Sequence, residues 1–119
     1  MTETNPFEAH FEEYDAWFDR YPNVFESEVG AVRAVMPRAG GWVEIGVGSG
    51  RFAARLGIPL GVEPARGIAA LTRARGITVL QGSAENLPLP DAGFDAAFLI
   101  TTLCFVDSMS CTFAEAARV

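Results

Sequence analysis

The chain has no lysine, a single histidine (His10) and only two cysteines, Cys104 and Cys111. Without lysine, Schiff-base chemistry and the phosphate-binding lysine of a P-loop are excluded. Two cysteines are too few for a disulfide framework or a zinc site. No apolar run approaches the ~20 residues of a membrane-spanning helix. The N-terminus lacks the basic character of a secretory signal or transit peptide. Basic residues are sparse, since all nine are Arg against 15 acids. With no basic stripe, the chain is a poor nucleic-acid binder. The expectation is a soluble cytoplasmic protein with neither a nucleic-acid nor a membrane partner.

What is present fits one globular domain. Half of the 119 residues are apolar, a fifth are charged and 12 are Gly. A single core is feasible at this length, although small domains bury a smaller share of their surface. The charge is uneven. Residues 1–28 carry eight acids against Arg20 alone, whereas the remainder is close to neutral. The acidic start reads as a solvated helix face.

Two helices are expected to open the chain and to occupy residues 1–38. Asn5, Pro6 and Glu8 form a capping pattern for the first, and Phe7, Phe11, Tyr14 and Phe18 recur at helical spacing. Asn23 and Glu26 repeat the pattern before a stripe of Phe25, Val29, Val32 and Met36, which ends before Pro37. From Gly41 short apolar runs alternate with Arg- and Ala-rich stretches. The runs are Trp42–Val47, Ile58–Val62, Ile77–Leu80 and Phe94–Ile100, with helices expected at about 50–56 and 65–75. A last helix is expected from near Asp107 or Ser110. Runs apolar on consecutive residues suggest strands buried on both faces, so residues 39–119 read as the core of a parallel α/β sheet.

The most informative stretch is Val43-Glu44-Ile45-Gly46-Val47-Gly48-Ser49-Gly50-Arg51-Phe52. A strand runs into three glycines at alternate positions, and a helix follows. Such a turn lets a ligand approach the backbone, and the helix N-terminus suits a phosphate or a carboxylate. Glycines alone can also serve geometry only. Glu44 lies inside an apolar strand, where an unpaired carboxylate is costly, so it should face a partner near the turn; a ligand ammonium would suit it. Glu63 ends the next apolar run, well placed to accept both hydroxyls of a ribose. Two acids beside a glycine turn suit an amino group and an unphosphorylated ribose better than a pyrophosphate. A nicotinamide-dinucleotide reading rests on Gly48-x-Gly50-x-x-Ala53. It places Glu63 closer than the usual ~20 residues and leaves Glu44 without a role.

Four segments together resemble the S-adenosylmethionine-dependent methyltransferases of the Rossmann-like class, specifically the type 11 group. They are Val43–Phe52, Gly61–Pro64, Gly82-Ser83-Ala84-Glu85-Asn86-Leu87-Pro88 and Phe94-Asp95-Ala96-Ala97-Phe98, in the family's order. The resemblance implies a three-layer α/β/α fold with seven strands in the order 3-2-1-4-5-7-6, of which residues 41–100 supply the first four. It implies that Glu44, Gly46, Gly48 and Gly50 surround the methionine part of S-adenosylmethionine and that Glu63 binds the ribose. Ser83, Ala84 and Glu85 would lie at the adenine, with Ser83 where many members carry Asp. Thr101 would lie beside the cofactor and the incoming acceptor. The implied reaction is in-line methyl transfer to a small molecule, leaving S-adenosylhomocysteine. A general base is required only when the acceptor must lose a proton. The alternatives are a non-catalytic module that binds the same cofactor and, behind it, an NAD(P)-dependent oxidoreductase.

The remaining candidates have plainer readings. His10 is expected at the surface, Tyr14 and Tyr21 in helix packing, and Cys104 as a small buried apolar residue. Arg51 reads either as a contact for a ligand carboxylate or as a solvated first-turn residue. Asp95 reads as structural. Because the sheet would end at the fourth strand, Ala96–Ile100 should form an apolar open edge, a hazard for association. The chain is therefore expected to be a fragment or truncated product of a longer enzyme, or to have that edge covered by another chain.

Overall fold

The computed structural model describes residues 9–119. The expected cap at Asn5, Pro6 and Glu8, with Phe7, lies outside them. Helix α1 spans Phe11–Arg20 and helix α2 spans Pro22–Val35. Helix α2 starts differently from expectation. Pro22 occupies its first turn, and no side chain caps it. Proline's fixed φ and missing N–H suit that position without a cap. Asn23 and Glu26 form no capping box; the Asn23 carbonyl accepts from Ser27 and Glu26 pairs with Arg55. The helix ends as expected, with Met36 extended before Pro37.

Four parallel strands follow: β1 Trp42–Ile45, β2 Leu60–Glu63, β3 Thr78–Gln81 and β4 Ala96–Phe98. Their order is β3-β2-β1-β4, with Val43 opposite both Leu60 and Ala97 and Gly61 opposite Val79. Helix α3 (Arg51–Leu56) joins β1 to β2, and α4 (Arg66–Ala74) joins β2 to β3. A 3-10 turn at Leu103–Phe105 and helix α5 (Met109–Arg118) follow β4. Ser108 caps α5 by accepting the Cys111 N–H at 3.2 Å.

Side chains alternate across the sheet. One apolar layer joins Phe18 of α1, Phe25 and Val29 of α2, and Phe52 and Leu56 of α3 with Val79 of β3. The other joins Val43, Ile45 and Val62 with Leu87, Leu89 and Val119, against which Ala116 of α5 packs. This is the Rossmann-like α/β/α arrangement. Strands β1 and β2 are buried on both faces, as expected, but β3 buries only Val79 because it lies at the sheet's edge. The strands are also shorter than the apolar runs. Gly46 takes φ +74°, which ends β1, and the Gly46 and Val47 N–H groups both donate to the Val62 carbonyl. Ile58 stays outside β2 and is buried by the turn that follows α3 at Gly57. Asp95 is structural, accepting the Gly41 N–H at 2.6 Å beside the start of β1. Among the described residues, no helix is long and apolar enough to cross a membrane.

Candidate functional site

The carboxyl ends of β1, β2, β3 and β4 meet at one cavity of about 350 Å³. Crevices at this end of a parallel sheet are where ligands bind in open α/β folds. Of the nine residues picked from the sequence, Glu44, Gly46, Gly48, Glu63, Ser83, Ala84, Glu85 and Thr101 all line it. Gly50 does not. Its φ is +81°, and a Cβ there would meet Thr72 at 2.6 Å, so this glycine serves the close packing of the turn on α4. Gly46 likewise abuts Thr102. Gly48 differs, for at φ +58° a Cβ would meet only the Tyr14 ring at 3.9 Å. The turn therefore keeps an open approach to the ligand space at Gly48.

Glu63 holds this turn. Its Oε1 accepts the Gly48 N–H and its Oε2 accepts the Ala65 N–H, each at 2.9 Å. A carboxylate occupies the Gly48 amide, so the turn offers less to a pyrophosphate than a dinucleotide fold would. Glu44 faces the same cavity and is 2 % exposed. Among the described residues its Oε1 has no hydrogen-bond partner. Burial, with the nearby Glu63 charge second, pushes the Glu44 carboxyl well above the usual carboxylate range; a hydrogen bond from the Ala53 backbone offsets this in part. A buried acid held against a second acid is the electrostatic complement of a cation.

The loops after β3 and β4 close the far side. Glu85 Oε1 accepts the Asp107 N–H at 3.1 Å, tying one loop to the other. Thr101 takes φ +56°, uncommon for a residue other than glycine, and Thr102 donates to the Ile45 carbonyl at 3.2 Å. That reversal carries Cys104 to the surface, which corrects the expectation of a buried residue.

Helix α1 forms the cavity's roof through Tyr14 and Phe18. Tyr14 packs edge-on against Phe18, as expected, but it also faces the ligand space. Burial first, then the charges of Glu44, Glu63, Glu28 and Asp15, push its phenol to about 12. The roof is anchored by ionic contacts absent from the sequence reading. Arg51 lines the cavity and is not the solvated first-turn residue of the plainer reading. It is 16 % exposed, binds Asp15 through Nε at 2.8 Å and Asp19 through Nη1 at 2.8 Å, and lies over the Phe18 ring. Arg75 reaches Asp15 from the end of α4 at 3.0 Å and donates to the Ser49 carbonyl. The acidic face of α1 is thus partly an attachment surface. His10 is exposed, as expected, with Nδ1 3.8 Å from Glu13.

Comparison with known proteins agrees with this geometry. A methyltransferase-domain family matches residues 43–119. A SAM-dependent methyltransferase of Thermotoga maritima, described as a possible histamine N-methyltransferase, is 48% identical with a TM-score of 0.92, over 94% of this chain and 54% of that one. An uncharacterized protein of Methanocaldococcus jannaschii is 38% identical over 115 residues, covering 97% of this chain and 56% of the relative. A SAM-dependent methyltransferase of Mesorhizobium loti is 31% identical with a TM-score of 0.61, over 74% of this chain and 46% of that one. The chain spans about half the length of the first two relatives. It belongs to the S-adenosylmethionine-dependent methyltransferases, in the type 11 methyltransferase-domain family.

Proposed function

We propose that this chain supplies the cofactor site of a methyltransferase that moves a methyl group onto a small-molecule acceptor by in-line displacement. The observation that carries the reading is Glu44, a buried carboxylate with an unpartnered oxygen, set beside Glu63 at the glycine turn. A cation there removes the cost of burying the first acid next to the second. S-adenosylmethionine fits this demand, since it carries an ammonium and a sulfonium, and when bound it supplies a methyl group already activated on positively charged sulfur.

The chain's own residues position and enclose. Glu44 receives the ammonium. Glu63, oriented by the Gly48 and Ala65 N–H groups, accepts the ribose hydroxyls. Gly48 lets the ligand lie against the backbone, and Ser83 to Glu85 flank the adenine. Tyr14 and Phe18 of α1 exclude water from above. Alignment and water exclusion are the main demands of transfer from an activated donor. The Tyr14 phenol, at about 12, stays protonated at neutral pH and acts as a hydrogen-bond donor rather than a base.

Calorimetry with S-adenosylhomocysteine and with NAD tests the reading. Saturable binding of the homocysteine compound, with none of NAD, is expected. Binding of NAD alone would overturn it. A radiolabelled-methyl assay on the same protein separates an enzyme from a non-catalytic cofactor-binding module.

A further inference from the structure

A second cavity of about 600 Å³ opens beneath α1 and continues the first. Tyr14, Phe18, Phe52, Thr101 and Phe105 line both, so a molecule in one chamber borders the contents of the other. The lining unique to the second chamber is Trp17 with His10, Glu13 and Glu28. This combination has a definite chemistry. The aromatic side chains give flat apolar walls whose π-faces attract cations. Glu13 and Glu28 set carboxylates at the rim. Among the described residues no arginine lines this chamber, and Arg51, which borders the first, is taken up by Asp15 and Asp19. His10 is already beside Glu13. Glu28 is exposed on α2, and its charge reaches the Tyr14 phenol, the group at the junction of the two chambers.

We propose that the second chamber seats the methyl acceptor and that the acceptor is an amine on an aromatic body, held as its ammonium between Trp17, Tyr14 and the carboxylate of Glu28. The proposal rests on the cofactor reading of the first chamber. The chemistry balances without a further reactant. The ammonium gives one proton to solvent water through the open rim. The nitrogen lone pair then forms the bond to the methyl carbon, and the carbon–sulfur pair returns to sulfur. The products are a methylated ammonium and a neutral thioether. In the displacement step, once the proton has left, positive charge moves from sulfur in the first chamber to nitrogen in the second, and the rim carboxylates favour that step. An acceptor that binds neutral or anionic would draw no attraction from this rim on binding.

The test is a charge series on one aromatic body. The chain is first saturated with S-adenosylhomocysteine, and tryptamine, tryptophol and indole-3-propionate are then titrated separately by calorimetry. Tryptamine is expected to bind at least about tenfold more tightly than tryptophol, with indole-3-propionate weakest. Glu28→Gln should lower tryptamine affinity about fivefold and leave tryptophol unchanged. It should also leave S-adenosylhomocysteine affinity unchanged. Trp17→Ala should weaken tryptamine and tryptophol alike. Equal affinity for the three compounds, no binding of tryptamine, or indifference to Glu28→Gln overturns the proposal. The first titration keeps the two ideas apart: failure to bind S-adenosylhomocysteine overturns the cofactor reading itself. A normal first titration followed by a flat charge series overturns only the acceptor assignment.

Discussion

Asp15 of α1 and Arg51 at the start of α3 meet at 2.8 Å, although 36 residues separate them in the chain. Their side chains are only 14 % and 16 % exposed, and Arg75 joins the same carboxylate from α4. The contact pins the cavity's roof to the helix that follows the glycine turn. It makes α1 part of the site rather than a preface to the domain.

Asp15→Asn should therefore destabilise the chain by about 1–3 kcal/mol, because two partly buried guanidinium groups lose a charged acceptor. Burial alone would raise the Asp15 carboxyl, but hydrogen bonds from Arg51, Arg75 and Ser49 prevail and hold it at about 2, below the ordinary 3.8. A depressed acid contributes stability above its unfolded value and loses it as pH falls toward the folded value. Urea denaturation at pH 7 should show the full deficit of the variant, and the deficit should shrink below pH 3.8. A deficit independent of pH would show that charge pairing is not its source.

Glu44→Gln has the opposite sign for stability. The wild-type folded state must either protonate this acid or bury its charge beside Glu63. Its raised value means that stability falls as pH rises above the unfolded value of 4.5, because the unfolded chain releases the proton first. The Gln variant escapes that loss. It should unfold at higher urea than wild type at pH 7.5, by about 1 kcal/mol or more, and match it near pH 4. It should bind S-adenosylhomocysteine about 1–3 kcal/mol more weakly, because the ammonium loses its carboxylate. Equal affinity would remove Glu44 from the ligand site.

The glycine turn and both glutamates were legible in the sequence because they lie within one strand–turn–helix unit and at the tip of the next strand. An acid inside the apolar run at 42–47 requires a partner whatever the fold. The order β3-β2-β1-β4 followed from the four-segment resemblance, not from periodicity. What could not be read depends on distant segments coming together. Nothing adjacent to Asp15 signals Arg51 or Arg75, so the α1 acids looked merely solvated. Cys104 looked buried simply as a small apolar residue. The left-handed backbone at Thr101, just past the apolar run, turns the chain outward. Gly46, Gly48 and Gly50 looked equivalent, and only their neighbours separate them.

Those neighbours predict different outcomes for one methyl group. Gly48→Ala carries the left-handed penalty of about 1–2 kcal/mol but meets nothing closer than Tyr14 at 3.9 Å. Its stability loss should be confined to that range, while S-adenosylhomocysteine affinity falls by about tenfold because the methyl enters the ligand space. Gly46→Ala carries the same penalty and drives into Thr102 at 2.5 Å. It should cost about 3 kcal/mol or more and loosen the turn as a whole. Thermal unfolding and calorimetry on both variants measure the difference. Equal stability losses would show that the two positions are packed alike.

Glu63→Gln completes the contrast with Glu44. Both Glu63 oxygens accept backbone N–H groups, one from the glycine turn and one from the start of the β2–α4 connection. An amide keeps one carbonyl oxygen but turns an NH₂ toward the other backbone donor, so one buried N–H faces a donor instead of an acceptor. The expected cost is about 1–3 kcal/mol of stability, opposite in direction to the Gln substitution at 44. Because Gly48 donates one of the two hydrogen bonds at stake, the turn itself should loosen. S-adenosylhomocysteine binding should weaken by a similar amount through both the lost ribose acceptor and the displaced backbone. Hydrogen exchange at the Gly48 amide separates these contributions. Faster exchange in Glu63→Gln, with unchanged exchange in Glu44→Gln, assigns the turn to Glu63. Acceleration in both would mean that the two carboxylates hold the turn jointly.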